Sequence, residues 1–512
     1  MNDAKGRRPG SRKRRSRKPA LDQLPWGQPR TPFPPLEIFT PEQIERIHGT
    51  SMRILEELGI EMMSARARDL FRRAGAEVDD DSGRVRVGRD LLLETLATAP
   101  PRFSLTPANP EKRVEIGGTA IAFGLVAGPP NVSDAERGRR PATFEDYRNF
   151  IRLAHHFNII HLIGNQVVAP LDLDADTRHL DTYFANLTLS DLVFHCTAIG
   201  RARALDGIEM MARARGMSLD AMVEDPSLLT IISVNSPRRF DAEMAEGLIA
   251  MSEHGQAVVV TPFTLMGAMT PVTLPAALAQ QNAEALFGAM LTQLVRPGAP
   301  VGYGSFTSNV DMRTGAPAFG TPENARANIA SGQLARRYHL PYRTSNANAS
   351  NVVDAQAAYE TQMALWAAIM GHGNLIYHAA GWLEGGLTAS FEKLILDVEM
   401  LQQMSRLLEP AEVNDETLGF DAIAGVATGG HFFGESHTME RYETAFYHPI
   451  LSDWANYETW HDAGGLDATT RATKVWKQAL QEYAEPTMPP EHREALTEYV
   501  ERRKREIEEN GL

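Results

Sequence analysis

The sequence predicts an α/β protein: a (β/α)8 TIM barrel preceded by an N-terminal α+β cap region and followed by a C-terminal extension. Two observations carry this. From about residue 119, short apolar strands alternate with helices eight times over about 290 residues, the count and length of such a barrel. The rival, an open doubly wound sheet, usually carries a Gly-rich phosphate loop after its first strand, and neither GxGxxG nor GxxxxGK[ST] occurs. The chain's 512 residues, 43% of them hydrophobic, provide ample material for the core.

Residues 1–35 are basic and then Pro-rich, and read as a disordered arm and linker. The cap region, 36–118, opens with a helix. Thr40 can cap it, Pro41 suits its first turn, and Ile44, Ile47, Met52, Ile54, Leu55 and Leu58 mark an apolar face. Further helices are expected near 64–74 and 88–97. An alternating strand at Arg84 to Val87 lies between them, and short strands follow at 103–105 and 113–116. The barrel is assigned to 119–408. Its strands fall at 119–125, 160–168, 193–199, 228–234, 257–261, 300–305, 341–345 and 374–378. Its helices fall near 144–157, 175–189, 202–215, 241–254, 274–295, 322–338, 354–370 and 390–408. Asp354 is placed to cap the seventh helix, because its carboxylate can accept from the first free amides. The polar loop before it, residues 346–351, then lies at the face where barrel enzymes bind ligands. The rhythm stops after Leu408. Residues 409–512 hold a Gly-, His- and aromatic-rich stretch, a helix at about 467–482, and a charged final helix that reads as a solvated surface element or subunit contact.

Net charge is −14, unevenly spread: residues 1–35 hold ten Lys or Arg against Asp3 and Asp22, so the remainder is strongly acidic. An acidic body argues against nucleic acid as the main partner. No apolar run reaches the ~18 residues of a membrane span, and no apolar segment follows the basic start as a signal peptide requires. A single cysteine, Cys196, rules out an internal disulfide and any zinc site built on two thiolates of this chain, and fits a reducing cytoplasm. Self-association is expected for an acidic barrel of this size.

In a barrel, chemistry comes from the C-terminal ends of the strands. Those positions are Phe123 and Asp134; Asn165 and Gln166; His195 and Cys196; Asn235 and Ser236; Thr261 and Phe263; Ser305, Phe306, Asn309 and Asp311; Asn346 and Asn348; and His378, Trp382 and Glu384. No Lys stands there, which argues against a Schiff-base lyase, and no close His/Asp/Glu cluster suggests a metal. Cys196 reads as packed core. What remains is aromatic and neutral-polar. Such a pocket suits a quaternary ammonium, since Phe263, Phe306, Tyr377 and Trp382 can offer ring faces to a fixed positive charge.

The stretch RTSNANASNVVDAQAAYE resembles the trimethylamine methyltransferase (MttB-like) family. So do YGSFTSNVDMRTGAPAFGTPE before it and GGHFFGESHT and YETW after it. The resemblance runs from roughly residue 40 to 480 and implies a (β/α)8 barrel. It also implies transfer of a methyl group from a methylated amine to the cobalt of a corrinoid carried by a separate protein. The trimethylamine enzymes carry pyrrolysine in the loop before the DAQA helix. Here that loop holds only standard residues, with Ala347, give or take one, at the matching position. The resemblance is therefore to the non-pyrrolysine branch, which includes glycine betaine methyltransferases. No DxHxxG-type corrinoid motif occurs in the chain.

On this resemblance Phe263, Phe306 and Trp382 form part of a cage. Glu384 or Asp311 supplies a counter-charge, and Asn346, Asn348 and His378 bond a substrate carboxylate. An arginine would bind a carboxylate better. Arg343 is the nearby one, and the sequence leaves open whether it points outward. Gly429, Gly430 and His431 look like a lid or corrinoid-facing element. No protein-bound metal and no general base is required. A non-catalytic betaine-binding protein and a different barrel enzyme, such as a lyase or decarboxylase, are the competing readings.

Overall fold

The computed structural model describes residues 21–164 and 166–511. The basic segment up to residue 20, and Asn165 among the strand-end positions, lie outside the described residues. The eight barrel strands are β1 (Ala122–Leu125), β2 (Leu162–Ile163), β3 (Val193–Phe194), β4 (Leu229–Ile232), β5 (Ala257–Val260), β6 (Val301–Gly304), β7 (Tyr342–Ser345) and β8 (Leu375–Ala380). All are parallel, in the order β3-β2-β1-β8-β7-β6-β5-β4. A bridge between His195 and Leu229 joins the two ends, so the sheet closes into the expected barrel. β2 and β3 pair over two residues each. Their apolar runs continue past these ladders: Val167, Val168 and Ala198 are buried outside them, and the buried Cys196 donates its amide to the Leu229 carbonyl at 2.8 Å.

Around the strands stand α1 (Phe144–His156), α2 (Arg178–Leu189), α3 (Arg201–Arg215), α4 (Ala242–Glu253), α5 (Leu274–Val295), α6 (Pro322–Arg337), α7 (Ala355–Met370) and α8 (Phe391–Leu407). Local chemistry sets their starts. Thr143, Asp241, Thr321, Asp354 and Ser390 each accept a hydrogen bond from the first turn of α1, α4, α6, α7 and α8. Strand side chains alternate between lumen and helix layer. Tyr303 and Tyr342 reach outward, their hydroxyls bonding Gln281 and Asn282 on α5 and the Asn328 carbonyl on α6. Ala122, Leu162, Val193, Leu229, Ala257, Val259 and Leu375 fill the lumen. Below them a hairpin, Arg102–Leu105 with Val114–Gly117, plugs the N-terminal end with Leu105, Val114 and Ile116. The apolar floor leaves the C-terminal end for polar and aromatic groups.

Helix Pro41–Arg53 carries a capping box, with Thr40 and Gln43 bonding each other's backbone, and it packs on α5. Residues 21–35 do not form a disordered linker. Gln23 and Gln28 bond backbone carbonyls of His156, Glu115 and Ile121, and Trp26 packs edge-on to His161, so the segment lies along the barrel. The final helix, Pro490–Asn510, also departs from the solvated reading. Leu496, Tyr499 and Ile507 are buried, and Tyr499 and Arg503 both bond Asp206 on α3, each at 2.8 Å. Its sequence is so rich in charge that this narrow apolar stripe is easily overlooked. No described helix is long and apolar enough to cross a membrane.

Candidate active site

Above the barrel the strand ends continue as walls. Phe263–Met266 follows β5 and Phe306–Val310 follows β6, and the two pair with Phe263 opposite Phe306. Trp382–Leu383 follows β8 and joins a second small sheet that includes Asn131–Asp134 after β1. These walls bring the sequence-nominated aromatics together. Ring centroids of Phe263 and Phe306 lie 5.2 Å apart, Phe306 and Trp382 6.0 Å, and Phe306 and His378 5.5 Å. Phe319, which sequence reasoning did not select, completes the group, 5.1 Å from Phe306 and 6.5 Å from Trp382. It precedes the Thr321 cap in the stretch PAFGTPE, whose position against the site only the fold reveals.

His378 sits in β8 with φ +53°, at a bulge between Ile376 and Ala380. A positive φ on a bulky residue is strained, and bulges re-aim side chains beside functional sites. Here the bulge turns the imidazole onto Trp382, 4.1 Å between rings. Gly386 holds the other side of the indole: a Cβ there would stand 2.5 Å from the Trp382 ring, at φ +100°.

Arg343, whose direction the sequence left open, turns inward. It is 2% exposed, and its guanidinium lies 5.4 Å from the Phe306 ring and 5.3 Å from the Tyr377 ring. Tyr377 spans the lumen from β8 to bond Nδ1 of His195 at 2.6 Å. Nε2 of His195 accepts from the Ile231 amide at 3.1 Å, so Nδ1 carries the proton and the ring is neutral. Burial, aided by the Arg343 charge, pushes His195 down to about 3 and His378 well below the ordinary histidine value. Tyr377 thus faces a protein cation and a histidine, and does not serve as an open wall of a cage.

Several buried polar atoms at these strand ends have no partner among the described residues: Thr261 Oγ1, Arg343 Nε, Ser345 Oγ, Asn346 Oδ1 and His378 Nδ1. Buried polar groups are normally satisfied, so their concentration at the barrel's C-terminal end makes it the candidate ligand site. Asn346 otherwise donates to the Ala379 carbonyl at 3.1 Å.

The loop 346–351 is buried at Asn346 to Asn348 and at Ser350, half-buried at Ala349 and exposed at Asn351, and it is tightly held. Glu360 accepts the amides of Ala349 and Ser350 at 2.9 Å each. Beneath it Lys393 and Asp397, both fully buried, form an ion pair at 2.5 Å. Lys393 also donates to Thr361 at 2.8 Å, and Asp397 accepts the Gly381 amide at 2.8 Å. Asn348, with its amide oriented to satisfy both sides, accepts from Thr361 and Lys393 at 2.7 and 3.0 Å and donates to the Trp382 carbonyl at 2.6 Å. Trp382 Nε1 donates back to the Asn348 carbonyl at 3.2 Å. Asn348 therefore positions Trp382 and is itself committed to this network. Sequence reasoning missed the pair. A Lys and an Asp four apart on the apolar face of FEKLILDVEM were the available signal.

Other nominated residues are engaged elsewhere. Glu384 pairs with Arg139 at 2.8 Å and accepts from Thr388. Asp311 closes an exposed turn with Thr314. Asp134 pairs with Arg137 and Arg140. Phe123 belongs to the outer core. The Cys196 thiol packs against Tyr183, and burial pushes it up to about 12. Gly429, Gly430 and His431 lie on an exposed segment, His431 against Phe433.

A closed barrel with aromatic walls and unpaired buried polar atoms at its C-terminal end fits the class of small-molecule barrel proteins, most of them enzymes. The family model for trimethylamine methyltransferase (MTTB) matches residues 4–508. The glycine betaine methyltransferase of Desulfitobacterium hafniense (strain Y51) is 37% identical over 93% of this chain and 99% of its own. The trimethylamine methyltransferase MttB of the same species (strain DSM 10664 / DCB-2) is 28% identical over 90% of this chain and 93% of its own. The proline betaine:corrinoid methyltransferase of Eubacterium limosum is 27% identical over 89% and 96%. The chain belongs to the trimethylamine methyltransferase family and is a methyltransferase.

Proposed function

We propose that this enzyme moves a methyl group from a quaternary amine to the Co(I) of a corrinoid carried by a separate protein. The observation that carries the reading is the group of Phe263, Phe306 and Trp382 rings above the lumen. It can surround a fixed cation without hydrogen bonds, and a desolvated cation–π contact contributes ~2 kcal/mol. A quaternary nitrogen already bears full positive charge. Its C–N bond can break with the electron pair staying on nitrogen, leaving a neutral tertiary amine, while the electron pair of Co(I) forms the new bond to the methyl carbon. Such a step needs no general base, consistent with His195 and His378 being held neutral. This chain's part is to bury the cation, align one N–CH3 bond with the acceptor and exclude water. Ala347, 1% exposed, stands within one residue of where the resemblance puts pyrrolysine in trimethylamine enzymes, and the loop there holds only standard residues, which supports a quaternary substrate over trimethylamine. The names of two relatives, one a glycine betaine and one a proline betaine:corrinoid methyltransferase, support the donor and the acceptor.

The exposed Gly429–His431 segment, beside exposed Phe432 and Phe433, fits a surface for the corrinoid protein. Self-association belongs to the same reading, supported by exposed Tyr359, Met363 and Trp366 at helical spacing on α7. A monomer by sedimentation would remove that part. The single cysteine fits a reducing cytoplasm.

The test is methyl transfer to cob(I)alamin from a panel of quaternary amines and trimethylamine, followed by methylcobalamin absorbance. Turnover with a quaternary amine and none with trimethylamine is expected. No turnover with any, while a betaine still raises thermal stability, would overturn catalysis in favour of a binding protein.

A further inference from the structure

We propose that Arg343 is the carboxylate anchor of the site, so that the substrates are betaines of α-amino-acid type and quaternary amines lacking an acid group are refused. This rests on the quaternary-amine reading above and narrows it. A guanidinium 2% exposed in a barrel lumen would ordinarily be paired with a carboxylate, because burying an uncompensated charge is strongly unfavourable. Arg343 has no such partner among the described residues. It makes one hydrogen bond, from Nη1 to the Ser305 carbonyl at 3.2 Å, and its Nε, also buried, has none. Its other neighbours are the Phe306 and Tyr377 rings, which accept a cation but do not neutralise it. Burial lowers the group only to about 10, so it remains charged at neutral pH.

The surroundings are arranged for an anion. Ser345, on the same face of β7 two residues closer to the mouth, has an unpartnered hydroxyl at 2% exposure. β6 presents Gly304 to the lumen beside this position. A Cβ there would meet Thr261 Oγ1 at 1.9 Å, so no side chain competes for the space.

Geometry also fixes how the ligand lies. Phe306 is shared: its ring meets the Arg343 guanidinium at 5.4 Å, and Phe263 and Trp382 at 5.2 and 6.0 Å. A ligand with its carboxylate on Arg343 and its ammonium among these three rings must be short. A single carbon between the two charges suits this spacing, as in glycine betaine or proline betaine. Arg343 lies within β7 and Phe306 beyond the end of β6. The carboxylate therefore enters first, and the N-methyl groups face the open end from which an acceptor must come. A cation without the acid would meet Arg343 as a like charge.

The test is binding, measured by calorimetry on the full chain with glycine betaine, its methyl ester and choline. Glycine betaine should bind the unmodified protein about 30-fold or more tighter than either, the range expected for a charge-assisted pair. Arg343→Met should lose that preference while binding choline at least as well, and Arg343→Lys should fall between. Equal affinity for choline and glycine betaine in the unmodified protein would overturn the anchor, and needs no variant to fold. So would Arg343→Met holding glycine betaine within about threefold of the unmodified protein. The two proposals fail separately. Arg343-dependent betaine binding without methyl transfer to cob(I)alamin would sink the methyl-transfer reading and keep the anchor. Methyl transfer from choline as fast as from glycine betaine would do the reverse.

Discussion

Replacing Lys393 by Met removes the cation from a pair whose side chains are both 0% exposed. The variant keeps the stem's volume, so the effect is electrostatic. Asp397 loses its partner at 2.5 Å and keeps the Gly381 amide, and the Asn348 and Thr361 oxygens each lose a donor. Breaking one side of a buried pair destabilises by about 3–5 kcal/mol. Burial already pushes Asp397 above the ordinary carboxylate range, so the variant should relieve part of this by protonating it. Stability should therefore fall by about 3 kcal/mol at pH 7.5 and by less at pH 5.5, reversing the direction expected of a simple carboxylate. Lys393→Met/Asp397→Leu removes the orphaned charge but leaves the Gly381 amide unbonded, and should recover about half the loss. Urea unfolding at the two pH values, followed by tryptophan fluorescence, reads both effects, and Trp382 reports the site directly because Asn348 holds it to the network. A loss below about 1 kcal/mol at pH 7.5, or a double variant weaker than the single, would refute the claim that this pair holds the loop and the indole together.

Phe306→Leu should weaken glycine betaine binding by about 30-fold, the loss of a desolvated cation–π face, and binding within about threefold of the unmodified protein would exclude Phe306 from the cage. Glu384→Gln should change betaine affinity less than about threefold, because Arg139 already neutralises this carboxylate at 2.8 Å; a loss of about tenfold or more would restore it as the counter-charge. Stability should fall as pH drops through about 6.5 toward 5. His161 and His195 are held down to about 4 and 3, so the unfolded state binds more protons there, and each removes up to about 1.4 kcal/mol per pH unit. A urea midpoint level between about pH 7 and pH 5 would contradict that burial.

The barrel was legible because its signals are local. An apolar strand, a polar turn and a capped helix repeat eight times, and Asp354 caps α7 through the amides of Gln356 and Ala357 at 2.9 and 3.2 Å. The aromatic group was partly legible for a similar reason: strand ends converge in a closed barrel, so Phe263, Phe306 and Trp382 could be brought together from position alone. Charge was less legible. Glu384 and Arg139 stand 245 residues apart in sequence, and nothing local pairs them. Tyr377 looked like a free ring face because its bond to His195 crosses the lumen between strands that are not neighbours.

The sequence by itself determined the fold, through periodicity and capping, and the methyltransferase family, through long motifs. The tertiary structure decided which charges are already matched and which are left open. Glu384 is neutralised, and Lys393 and Asp397 neutralise each other in the dark of the core. Arg343 faces the lumen with no carboxylate partner among the described residues, because one step of strand alternation turns it inward. Pairing and burial depend on distance in space, and a chain written in one dimension does not contain those distances until it is folded.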